Sequence, residues 1–340
     1  MSTISDVAKR AGVSTMTVSR VVNNSGYISQ ETRERVERAI AELGYVPNAL
    51  ARYLRFKQTK TIALILTDIT NPFFTTIARG VEDAARDQGF SVIFCNTDES
   101  ETEQTEYLQL LLQRQVDGFL LVPASDSDES IAALRARGVP VVLLDRRLSV
   151  GEFDSVRCDS VQGAYELVHH LLALGHTRIA VLSGSKAVST AVDRVAGYTR
   201  AMCEAGIGED QHLVFYDRFT QGDGYRMAQR ALAASPRPTA IFAANNFIAF
   251  GAIRAIQEAD LRIPEDISIV TFDDLPQLWV MDPFLTVVTQ PAYEIGHKAT
   301  ELLLDRLAGE GPVETREIML PAELIVRKSS GPPPTVATKL

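Results

Sequence analysis

Carboxylates and amides recur in this chain just past short, strongly apolar runs. Asp68, Asn71 and Phe73 follow IALIL (62–66), Asp145 and Arg146 follow VVLL (141–144), Asn245 follows TAIFAA (239–244), and Asp273 follows SIVTF (268–272). Converging groups of this kind can bracket vicinal hydroxyls, each oxygen or N–H taking one partner, while aromatic rings cover the C–H face of the same molecule. The chemistry is recognition of a polyhydroxyl ligand, not bond cleavage. Each residue also has an ordinary structural use: Asp273 and Asn245 can cap helices, Asp68 can shape a turn, and Phe73 can fill a core.

A second group lies in residues 4–23, ISDVAKRAGVSTMTVSRVVN. Ile4, Val7, Ala8 and Ala11 keep helical spacing, Gly12 breaks the helix, and Ser14 stands at the N-cap of another running from Thr15 to about Asn23. Val18, Val21 and Val22 point inward, which leaves Thr15, Met16, Ser19 and Arg20 outward. Two such helices cannot bury their apolar faces alone. A third is predicted after Ser29, with Val36, Ala39, Ile40 and Leu43 inward and Gly44 and Pro47 as its stop. Three small helices with a polar, partly basic second one form the architecture that lays a recognition helix in a DNA major groove.

The elements positioning the first group alternate. Near-continuous apolar runs at 62–66, 92–95, 118–122, 141–144, 179–182, 239–244 and 268–272 predict buried parallel strands. Amphipathic stretches near 73–87, 102–115, 128–137, 161–174, 194–205, 223–234 and 247–259 predict crossover helices. Two such series, divided near Asp159, make two doubly wound halves with a ligand cleft at their strand ends. Between Tyr45 and Lys60, weak apolar spacing and several cations predict a hinge that is helical only when DNA or a second chain supports it.

Charge separates these parts. The chain carries −9 overall, yet residues 1–60 hold ten Lys/Arg against five acids, leaving −14 on the remainder. A basic head on an acidic body fits phosphate contact by the head alone. Cys95, Cys158 and Cys203 lack metal or disulfide spacing, which fits a reducing cytoplasm. No signal-peptide pattern is present, and the 62–66 run is too short for a membrane span. Ser183–Lys186 (SGSK) lacks the full phosphate-loop pattern, and histidines 169, 170, 176, 212 and 297 show no metal spacing. The residues imply no catalytic set, metal or cofactor.

The head motif DVAKRAGVS…TVSRVVN, the hinge NALAR-x-L, and NPFF, GHTRIAVLSG, RVAGY, FDD and TVVTQP in order resemble the lactose-repressor (LacI/GalR) family of bacterial transcription regulators across residues 3–328. The resemblance implies an all-α helix-turn-helix head (1–46), a hinge (47–59), and an α/β two-lobed, periplasmic-binding-protein-like effector and dimerisation body (60–328). One lobe spans about 60–157 and 292–319, the other about 158–288 and 320–328, and 329–340 reads as a disordered tail. It also implies a cytoplasmic homodimeric repressor on palindromic operator DNA, modulated by a small metabolite. The alternative is a solute-binding protein or ligand sensor without specific DNA readout.

On this resemblance Thr15, Met16 and Arg20 reach base edges, while Ser14, Thr17 and Ser19 bond phosphate or cap the helix, with Asn23 at its end. Leu54 is the minor-groove wedge with Ala51 beside it, unless Leu54 packs on the body instead. Arg194 and Phe219 join the effector pocket, unless Phe219 is a core aromatic. Arg146 with Arg194 could clamp an anion, which points to a sugar acid or sugar phosphate; an Arg146–Asp145 or interlobe ion pair explains the same residues. Arg20→Ala is expected to relax base preference, costing about 1–3 kcal/mol at a guanine. Arg52→Ala is expected to weaken all sequences alike. Binding titrations over operator variants check both, and equal loss across operators for both contradicts them.

Overall fold

The computed structural model describes residues 2–22, 25–45, 58–127, 129–274, 283–310 and 314–334. They fall into two compact units, residues 1–59 and 60–340. Residues 47–57 of the expected hinge, including Ala51, Arg52 and Leu54, lie outside the described residues, as does Asn23.

Among the described residues, the first unit has three helices: α1 (Ile4–Ala11), α2 (Thr15–Val22) and α3 (Gln30–Leu43). Thr3 and Asp6 form a reciprocal capping box on α1, and Gly12 closes it at φ 65°, where a side chain would be strained. Ser14 Oγ accepts from Thr17 N at 3.1 Å and starts α2, while Ser29 caps α3. Val7, Ala8, Ala11, Val18, Val21, Val36 and Ala39 form the core, with Val22 packed at its edge.

The second unit contains two six-stranded sheets. Its elements in order are β1 (Thr61–Leu66), α4 (Pro72–Asp87), β2 (Ser91–Asn96), α5 (Glu101–Gln113), β3 (Gly118–Leu121), α6 (Glu129–Ala136), β4 (Val141–Leu144) and β5 (Asp154–Cys158). There follow α7 (Ser160–Ala173), β6 (Ile179–Ser183), α8 (Ser189–Glu204), β7 (Leu213–Tyr216), α9 (Gln221–Leu232), β8 (Ala240–Ala243), α10 (Asn246–Glu258) and β9 (Ser268–Phe272). The last are β10 (Thr286–Thr289), α11 (Ala292–Ala308), β11 (Glu317–Leu320) and β12 (Glu323–Ile325). Strand order is β11-β5-β4-β3-β1-β2 in one sheet and β12-β10-β9-β8-β6-β7 in the other. All pairings are parallel except β10 with β12.

The strongest apolar runs became the central strands β1, β3, β8 and β9, which are sealed on both faces. The VIFC run, expected to be buried, is instead the edge strand β2, and Ile93 and Phe94 are exposed. Strands β5, β7, β10, β11 and β12 escaped the sequence reading. Most are short and mix polar with apolar residues, so no continuous run announces them. Helix α11 was also missed; it begins directly after Pro291 and packs on the first sheet through Ile295, Ala299, Leu302 and Leu303.

The tail expected over 329–340 is corrected at its start, Ser329–Gly331, while 335–340 lie outside the described residues. Ser329 is buried, its Oγ donates to Ile269 O (2.6 Å) and accepts from Thr286 N (2.8 Å), and Ile269 N donates to Ser329 O. His176 bonds Gly331 O at 2.8 Å. Hydroxyls and main chain anchor this strap to β9, and that signal is invisible in a proline-rich composition.

Helices α4 and α11 touch backbone to backbone through glycine. A Cβ at Gly80 would stand 2.1 Å from Tyr293 O, and one at Gly296 2.1 Å from Ile77 O. Gly80→Ala must push the helices apart, a loss of about 1–3 kcal/mol, and thermal unfolding should show a Tm several degrees lower.

Candidate functional site: the reading helix and the interlobe cleft

In the first unit, α2 presents Thr15, Met16 and Arg20 to solvent; Met16 is 55% exposed. Thr17 is half-buried and spends its hydroxyl on Ser14 at 3.0 Å, so this pair starts the helix. Ser19 is half-buried. Gly26, at φ 72°, lies beside the Arg20 stem, and Ser25 N donates to Arg20 O, which folds the turn back against α2. The sequence reading missed Tyr27. It is 93% exposed in that same turn, an aromatic with no packing role of its own.

In the second unit, all nine expected ligand residues line one cleft: Asp68, Asn71, Phe73, Asp145, Arg146, Arg194, Phe219, Asn245 and Asp273. Phe74, Glu99 and Thr190 line it as well and were missed. The β-α-β pattern explains the convergence, because parallel strands release their carboxyl ends toward one side and helices begin there. Several residues serve the fold and the cleft together. Asn71 caps α4 by accepting from Phe73 N (3.1 Å), Asn245 caps α10 by accepting from Ile248 N (2.8 Å), and Asp68 closes its turn by accepting from Thr70 N (2.8 Å). Phe73 packs in the core of the first lobe and edge-on against Phe74. Phe219 lies over Gly184, where a Cβ would stand 2.1 Å from its ring.

The lobes are joined directly across the cleft. Asn71 Nδ2 donates to Asn246 Oδ1 (3.2 Å), and Asn246 Nδ2 returns a bond to Asn71 Oδ1 (3.0 Å). On the other flank, Arg147 NH2 donates to Asp193 Oδ1 (2.7 Å) and Arg147 N to Ser189 Oγ (3.0 Å).

The buried charges are unevenly satisfied. Arg146 is 4% exposed; its terminal nitrogens donate to both Glu99 oxygens (2.6 Å each) and to Pro123 O (2.8 Å). Burial opposes its charge, yet Glu99 outweighs that and holds the guanidinium above its ordinary pKa. The terminal nitrogens that a joint clamp of Arg146 with Arg194 would use are thus held by Glu99 and Pro123 O, partners the sequence reading did not name. Arg194 NH1 donates to Ala244 O (2.5 Å), and its guanidinium lies 4.1 Å from the Phe272 ring centre.

Asp145 and Asp273 both adopt left-handed backbone, at φ 62° and 67°. Burial pushes the Asp145 carboxyl up to about 6 despite Arg146 and Arg194 nearby, and burial also raises Asp273, against the pull of Arg194. Gln290 Nε2 donates to Asp273 Oδ1 (2.6 Å). Among the described residues, Asp145 Oδ1, Arg146 Nε, Arg194 Nε and Gln290 Oε1 are buried without a hydrogen-bond partner at or beside the cleft. A buried acceptor and donor left open beside one cleft are suited to a ligand hydroxyl, which can donate to one and accept from the other.

A basic three-helix unit with an outward polar helix, followed by a bilobal unit with a polar cleft, defines a ligand-responsive DNA-binding regulator. Residues 3–48 match the bacterial regulatory proteins of the lacI family, and residues 59–328 match the periplasmic binding proteins and sugar binding domain of the LacI family. The chain belongs to the LacI family. It is 38% identical over 338 residues to the HTH-type transcriptional regulator DegA of Bacillus subtilis (strain 168), covering 97% of this chain and 98% of that protein. Its structure is similar to that of the Lac repressor dimer bound to operator and the anti-inducer ONPF, with TM-score 0.85 and 31% identity over 97% of this chain and 99% of that one. It is also similar to a LacI family transcriptional regulator from Enterococcus faecium with bound ribose, with TM-score 0.72 and 36% identity over 80% of this chain and 99% of that one. The protein is thus a DNA-binding transcriptional repressor with an effector-binding domain, and not an enzyme.

Because the Asp145 carboxyl is raised in the folded chain, the fold takes up its proton more readily than the unfolded chain does. Its contribution is complete below the ordinary carboxylate pKa and is lost as pH rises through about 6. Asp145→Asn removes that titration. Relative to wild type, the variant should gain up to about 3 kcal/mol between acid and neutral pH, read as a pH-dependent difference in Tm; a constant difference contradicts the assignment.

Proposed function

We propose that the protein represses transcription as a homodimer on a palindromic operator, and that a neutral sugar, ribose first among them, sets its operator affinity. The observation that carries the effector reading is the state of Arg146. Both its terminal nitrogens are taken by protein oxygens, and four carboxylates line the cleft against two guanidiniums. A sugar acid or sugar phosphate would meet net negative surroundings there. A neutral polyol instead meets the open Asp145 and Arg194 atoms, with Phe73 and Phe219 to cover its C–H surface. The similar Enterococcus faecium regulator was crystallised with ribose, which fits this chemistry.

Operator contact is assigned to Thr15, Met16 and Arg20 at base edges, with Ser14, Thr17, Ser19, Asn23 and Arg52 nearer the phosphates, Tyr27 added from its exposure, and Leu54 with Ala51 at the minor groove. Paired heads on one dimer require a two-fold symmetric site. A sugar that prefers one lobe arrangement shifts the dimer toward it and changes operator affinity by that same preference.

Selection of bound duplex from a random pool, followed by footprinting, should return a palindrome with steeply salt-dependent affinity. Millimolar ribose should change that affinity at least tenfold. Absence of any preference over random duplex overturns the operator reading; stabilisation of the protein by aldonates or sugar phosphates and not by neutral sugars overturns the effector reading.

A further inference from the structure

Glu99 is held in place by an unusual turn. Thr97 is buried and tied to the end of β1 through its N–H to Leu66 O (2.9 Å). Ser100 N donates to Thr97 O (2.9 Å), closing a four-residue turn whose central residues, Asp98 and Glu99, both have positive φ, 48° and 61°. Positive φ at both central positions is the preference of Gly, Asn and Asp. Asp98 fits, and Asn96 Nδ2 holds its carboxylate at 2.6 Å. Glutamate at the second position does not fit, because its Cβ is strained there and nothing local repays it. What the turn achieves is delivery of a carboxylate into the cleft, both of whose oxygens lie 2.6 Å from Arg146 nitrogens.

The consequence is electrostatic. Arg146 comes from the end of β4 and is buried at the cleft wall with Pro123 O and Glu99 as its close acceptors; Asp145 is farther, 3.7 Å from Nε. With Glu99 in place the wall presents a neutral pair. Without it, a buried guanidinium would stand half-compensated beside the ligand space, a ready partner for a phosphate or carboxylate.

We infer that Glu99 is the charge-selectivity residue of the cleft: it occupies Arg146 so that the site accepts neutral sugars and refuses anionic ones. This rests on reading the cleft as a sugar site and adds the residue that decides which sugars enter. Glu99 acts through Arg146, by filling the positions an anion would otherwise take.

The test uses the full-length protein, with D-ribose and D-ribose 5-phosphate as probes in calorimetric titration and thermal shift. Two variants separate charge from backbone: Glu99→Gln keeps the side-chain size and removes the charge, while Glu99→Gly removes the carboxylate and relaxes the turn. Wild type should bind ribose and not the phosphate. Both variants should lose ribose affinity tenfold or more and gain measurable affinity for the phosphate. If both keep wild-type ribose affinity and still refuse the phosphate, or if wild type already takes the phosphate, the inference is overturned. Should wild type bind neither probe while the variants bind the phosphate, the charge filter stands and ribose as effector falls. Binding of neither probe by any of the three proteins overturns the filter. Should Glu99→Gln not fold, Glu99→Gly decides alone.

Discussion

Arg194 sits where two buried carboxylates need it. It belongs to α8 of the second lobe, rests on the Phe272 ring, and bonds Ala244 O. Its field reaches Asp145 from the first lobe and Asp273 from its own. Taking carboxylates out of water is expensive, and Arg194, shared between them and helped at Asp145 by Arg146, does not fully compensate it. The balance left over is visible in Asp145, still pushed up to about 6, with one oxygen unpartnered. The cleft thus keeps a residual demand for hydrogen bonds. On the same wall Glu99 and Pro123 O take the terminal nitrogens of Arg146, while its Nε stays without a hydrogen-bond partner.

The fold and the site use the same atoms. Asn71 caps α4, lines the cleft and exchanges two hydrogen bonds with Asn246 at the start of α10. Two helix N-termini from different lobes therefore meet through a neutral amide pair. A carboxylate at position 246 would lose the donor that Asn71 Oδ1 accepts, and would add a further acid to an already acidic cleft. Asparagine at this position lets the lobes meet without deepening the negative potential. For Asp68, Phe73 and Asn245 the structural use and the cleft position coincide: each shapes a turn, a core or a cap and also lines the cleft.

The two units also divide the electrostatic work. The basic head carries cations suited to phosphate, and the body carries a net −14. Such a distribution favours DNA contact by the head and repels phosphate from the body.

The three-helix head was legible residue by residue, because capping hydroxyls, helix-stopping glycines and helical apolar spacing are all local. The central strands were legible too, since burial on both faces demands uninterrupted apolar runs, and the polar residues after those runs marked the cleft. Edge and crossing strands such as β5, β11 and β12 carry no such demand. They were decided by pairing with partners far along the chain, Asp154–Cys158 with Glu317–Leu320 among them. The same holds for Glu99, whose meaning lies in Arg146, and for Asn246, whose meaning lies in Asn71. Local periodicity and capping set the elements and the direction their polar ends face. Which charge neutralises which, and therefore what the cleft will hold, depends on distances between residues tens to hundreds of positions apart, and those exist only once the sheets have assembled.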